Sequence, residues 1–215
     1  IACEEAARLI LNRNDIVCFL EVGLECQDEW VCFLLTVRDQ FIQILQNREI
    51  PIIKRMDHVL TYGKKVQESI NQGHPSYKFS QEEIPCQSVK QIFAHDMNFW
   101  LSFYLELDIM DSRWQSMLCQ AKVSEWEEIP NEVFWEQLSI YFIFRHLIAA
   151  EEDDDIYGKI RFTILSCLII FLASKNLDAS NRQDAWIKTA RMYSKEIEYS
   201  DENLQIIWEE LLFTP

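Results

Sequence analysis

Apolar residues recur at three- and four-residue spacings through most of the chain, which is the period of helices packed by one face. Residues 3–12 read as a short helix, with Ala6, Leu9 and Ile10 on one side and Glu4 and Glu5 in its first turn. Residues 12–26 read as a connector with a short extended piece at 16–22. From Asp28 to about Arg48 a long amphipathic helix gathers Val31, Leu34, Leu35, Arg38, Phe41, Ile42 and Leu45 on one side. Pro51 suits the first turn of the next helix, which reaches about Gln72. Residues 73–85 form the clearest loop and a candidate hinge. Further helices follow at 86–109, at 111–122 and from Pro130 to Ala150. The last three run from Asp154 or Asp155 to about 173, from 181 to 199, and from 201 to 212. Positions 138–150 and 160–172 are apolar all round and are expected at the centre. The 181–199 helix carries one narrow stripe (Trp186, Ala190, Tyr193, Ile197) and is expected outside.

This pattern predicts an all-α fold: a multi-helix bundle of about eight helices with two central apolar helices. It divides into an N-terminal helical part (1–72), the loop (73–85) and a C-terminal bundle (86–215), within one compact domain. The chain's 215 residues suffice for one core. The apolar runs are about a dozen residues, short of the ~20 that a bilayer span needs, so no membrane span is expected. A start at Ile1 inside a helical pattern suggests that an N-terminal portion precedes it.

Charge and composition narrow the chemistry. With 35 acidic and 20 basic side chains the net charge is -15, which disfavours nucleic acid as a partner. Only four glycines occur, at 23, 63, 73 and 158. They are too scattered for a phosphate-cradling loop or a dinucleotide turn. Seven cysteines without a C-x-x-C pair read as reduced core thiols in a cytoplasmic protein. The five carboxylates at 151–155 lack D-D-x-x-D spacing and read as a solvated turn ending in a helix cap.

Arg145 is the candidate of most interest. Phe134, Leu138, Tyr141, Arg145 and Ile148 share one helical face, which points the guanidinium towards the expected core. A buried arginine needs partners. It is either an internal ion pair with Glu106, Asp108 or Glu196, or a fixed cation for a ligand carboxylate. Tyr141, Arg145, Lys159, Arg161 and Glu196 together form the candidate site-lining or buried ionic set. His146, beside Arg145, reads as a hydrogen-bonded structural residue.

The opening Cys3-Glu4-Glu5-Ala6-Ala7-Arg8 and three later segments resemble the flagellin lysine-N-methylase family. Those segments are Tyr141 to His146, Asp155 to Phe162, and Ala190-Arg191 through Tyr193, Glu196 and Glu198 to Asn203. Glu4 stands where that family often has proline, and His146 and Tyr199 also depart from its pattern. The resemblance implies methylation of lysine ε-amino groups on flagellin, with S-adenosylmethionine as donor. It also implies a cysteine-rich segment, absent from this chain, that chelates an iron-sulfur cluster or zinc, with Cys3 as one possible further metal ligand. Two roles follow: the helical domain of a lysine N-methyltransferase, inactive by itself, or a non-catalytic helical scaffold packed on a metal-binding domain.

Overall fold

The computed structural model describes residues 29–79, 97–121, 132–175, 177 and 181–213. The helix expected at 3–12, the connector after it, Cys3, residues 80–85 of the expected 73–85 loop and the start of the 86–109 helix lie outside the described residues. Within them the protein is all-α, with no strand and eight helices of nine residues or more. These are α1 (Glu29–Gln46), α2 (Ile52–Asn71), α3 (Met97–Glu106), α4 (Ser112–Gln120), α5 (Glu132–His146), α6 (Ile156–Ser174), α7 (Arg182–Tyr193) and α8 (Asp201–Phe213).

Helix α6 is the axis of the bundle. It packs against α2, α4, α5, α7 and α8, and every one of its residues except Tyr157 is buried. By length and composition it could cross a membrane, yet 94% of its apolar stretch is buried inside the protein. Its buried hydroxyls return to the helix backbone: Thr163 donates to the Lys159 carbonyl at 3.0 Å and Ser166 to that of Phe162 at 2.7 Å. These two hydroxyls are thus satisfied within the helix itself.

The turns set where these helices begin. Asp155 accepts from the Gly158 amide at 2.8 Å and caps α6, Asn181 accepts from Asp184 at 2.8 Å and caps α7, and Asp111 caps α4. Gly73, at φ 76°, closes α2 in the left-handed region, so the chain turns where only glycine is at ease. Gly63 lies at the crossing of α2 and α6, with Ile160 and Phe41 packed over it.

Candidate functional site

The C-terminal end of α5 faces a distortion at the end of α7. Residues Ser194–Glu198 form a π-helical turn, in which the Tyr199 amide donates back five residues to the Ser194 carbonyl at 3.1 Å. In a regular helix residues two apart point to nearly opposite sides. Here the wider turn lets both Glu196 and Glu198 be buried, at 1% and 4% exposure, facing different neighbours.

Glu198 is the hub. Its Oε1 accepts from Arg145 Nε at 3.0 Å, from His146 Nε2 at 3.1 Å and from the Tyr141 hydroxyl at 3.1 Å. The same hydroxyl lies 3.3 Å from Oε2. A carboxylate only accepts, so Nε2 is the protonated nitrogen of His146. His146 is wedged between aromatic rings, stacked on Phe142 and edge-on to Phe162 and Trp208. Burial, reinforced by the charge of Glu198, pushes the Tyr141 phenol well above its ordinary range, so it donates and does not act as a base.

Arg145 differs from its expected setting. Its partner is Glu198, not Glu106, Asp108 or Glu196, and its side chain is 34% exposed. Of the face carrying Phe134, Leu138, Tyr141, Arg145 and Ile148, Leu138 is buried and the others lie at the margin of the helix. The inward face carries Trp135, Ser139, Phe142, Ile143 and His146. Helix α5 is apolar nearly all round, so its sequence pattern does not say which side turns in. On the solvent side Arg145 lies over the Tyr199 ring, 5.5 Å from its centre.

The other expected members lie elsewhere. Lys159 is buried, its ammonium 2.6 Å from Asp153 Oδ2 and 4.2 Å above the Trp208 ring. Arg161 donates to the Leu211 carbonyl at 2.6 Å, holding the C-terminal turn of α8 where a cation is favoured. Glu196 accepts from the amides of Met110 and Asp111 at 2.8 and 3.3 Å, fixing the approach to α4. Asn203 completes that corner, exchanging bonds with the Asp108 backbone and donating to the Glu196 carbonyl. So the structure joins Tyr141 with Arg145, adds His146 and Glu198, and sends Lys159, Arg161 and Glu196 to separate junctions.

These contacts explain the segment from Ala190 to Asn203 as a set of fasteners. Tyr193 belongs to it too: its buried hydroxyl meets those of Tyr104 at 3.0 Å and Ser166 at 2.7 Å. A family model described as FliB lysine N-methylase C-terminal domain matches residues 38–213, which include all of these contacts. The chain belongs to this family. No curated protein and no solved structure matches it.

A second ionic cluster within the matched region escaped the sequence reading. Arg55, fully buried, donates to Glu136 Oε2 and Glu132 Oε2 at 2.9 Å each, while Arg48 forks onto both oxygens of Glu136 at 2.8 and 2.9 Å. Burial works against the charged form of Glu136, but the hydrogen bonds from Arg48 and Arg55 prevail and hold its carboxyl below the usual range. The cluster ties the α1–α2 corner to α5. Arg55 sits four positions from Val59 and three from Ile52 on the buried side of α2, and that apolar neighbourhood was the available signal.

Between α4 and α7 lies a groove of about 600 Å³ whose charged lining is Arg113, Lys188 and Arg191, without a carboxylate. A sulfonium donor is a cation, and its ribose diol calls for an acidic acceptor, so this groove does not fit S-adenosylmethionine. A cluster or zinc needs converging thiolates. Among the described residues Cys32, Cys119 and Cys167 form no disulfide and no group of three metal-ligating side chains converges. Cys167 is fully enclosed, and burial pushes its thiol up to about 12, against a hydrogen bond with Ser139. It stays protonated and does not fit a metal.

Proposed function

We propose that this chain is the helical domain of a protein lysine N-methylase acting on flagellin, and that it holds and shapes the enzyme without supplying the methyl-transfer groups. Family membership over residues 38–213 supports the activity. The observation that carries the division of labour is the hub: Glu198, Tyr141 and His146 are engaged with one another and with Arg145, an arrangement that stabilises a helix junction. Methyl-donor and metal chemistry are assigned to residues beyond those described.

The second reading, a non-catalytic scaffold packed on a metal-binding domain, is favoured by the mismatch between the α4–α7 groove and a sulfonium donor. One experiment separates the readings. The intact protein carrying this chain, purified without oxygen, is incubated with flagellin and S-adenosylmethionine, and lysine methylation is read by mass spectrometry. Methylated lysine is expected. A wild-type protein with its metal intact that yields no product refutes the methylase reading. A folded Glu198→Gln variant is expected to retain turnover within about tenfold; a loss of several hundredfold would make the hub catalytic.

A further inference from the structure

Within the Ala190–Asn203 segment, Tyr193, Glu196, Glu198 and Asn203 are buried and bonded inside the bundle. Arg191 points the other way, exposed, into the groove between α4 and α7. Lys188, three positions earlier on α7, lines the same wall, and Arg113 faces them from α4. Arg113 is already held by Asp111 at 2.7 Å. Lys188 and Arg191 form no ion pair among the described residues, in a protein of net charge -15. Below them lie Met117, Leu177 and Met192, buried or half-buried, two of them the adaptable thioethers that mould to varied side chains.

We propose that this groove docks a short acidic peptide segment that carries an apolar side chain. The apolar floor takes that side chain, and Lys188 and Arg191 pair with carboxylates beside it. The volume, about 600 Å³, suits one or two side chains with their backbone. A phosphodiester polymer is a poorer occupant, because its many charges would feel the whole acidic surface while a short peptide feels mainly the local cations. The inference does not depend on methylation; it concerns binding alone.

The test uses the full 215-residue chain and a fluorescein-labelled peptide with two glutamates on each side of a Phe-Leu pair, read by fluorescence anisotropy. Controls are the same peptide with glutamines, a peptide with glycines in place of Phe-Leu, and a single-stranded oligonucleotide of equal charge. The acidic apolar peptide is expected to bind. Affinity should fall at least ~10-fold with either control peptide, with Lys188→Glu plus Arg191→Glu, or between low and high salt. Both substituted positions are exposed, so circular dichroism should be unchanged; Lys188→Gln plus Arg191→Gln, free of introduced charge, should weaken binding in the same direction. Failure of the acidic peptide to bind, equal binding of the glutamine peptide, unaltered binding by the charge-reversed protein, or preference for the oligonucleotide would each overturn the proposal.

Discussion

Removing the Glu198 carboxylate tests the hub most directly. In Glu198→Ala the ring nitrogen of His146, 5% exposed, loses its acceptor inside an aromatic cage. A hydrogen bond to a charged acceptor contributes about 1.5–3 kcal/mol. The Tyr141 hydroxyl donates to the same carboxylate but is half-buried and can turn to water, so it adds up to about 1 kcal/mol. Arg145 adds little, since a partly exposed guanidinium turns to water and such pairs contribute about 0.2–1 kcal/mol. Relief of the desolvation of Glu198 offsets part of the loss. The sum is a destabilisation of roughly 2–4 kcal/mol, or a fall in Tm of roughly 5–15 °C for a chain of this size. Arg145→Met, which removes only the exposed donor, should lose no more than about 1 kcal/mol. Urea titrations followed by circular dichroism, with unchanged m-values, give both numbers. If Arg145→Met proves the more damaging substitution, the assignment of Glu198 and His146 as the buried half of the hub is wrong.

Two further expectations follow from other junctions. The same substitution at two glycines should act in opposite directions: Gly63→Ala places its Cβ in ordinary contact 3.5 Å from Ile160 and Phe41 and should add about 0.5–1 kcal/mol, whereas Gly158→Ala drives its Cβ into the capping carboxylate of Asp155 and should lose about 0.5–1 kcal/mol net of helix propensity; shifts of the same sign in thermal melts would refute the contrast. Glu136 binds its proton less readily folded than unfolded, so its contribution to stability is present above its usual value of 4.5 and is lost as pH falls below that; denaturant midpoints measured from pH 7 to pH 3 should fall less steeply in Glu136→Gln than in the wild-type protein.

Much of the architecture is legible in the sequence because caps and apolar runs act locally. Asp155 starts α6, Asn181 starts α7, and the run at 160–172 is central because no side of it tolerates water. The site is legible only in part. Tyr141 and Arg145 do share a junction, but helical periodicity turned their face inward, since α5 offers little polarity with which to orient it. The π turn hides Glu198 more thoroughly. On a regular helix Glu196 and Glu198 could not both face inward, so the sequence pattern favours one, and the one it favours pairs with backbone amides near α4. His146 looked isolated because its acceptor is 52 residues away.

The enclosure of α6 has a consequence for synthesis. By length and composition this helix matches a membrane segment as it leaves the ribosome. Two of the surfaces that cover it, α7 and α8, are translated after it. Until they arrive, the flank of α6 that meets Tyr193 through Ser166 is uncovered. The nascent chain therefore passes through an interval in which part of this apolar surface is uncovered. Truncations that end between α6 and α8 should be the forms of this protein most prone to aggregation or to mistargeting.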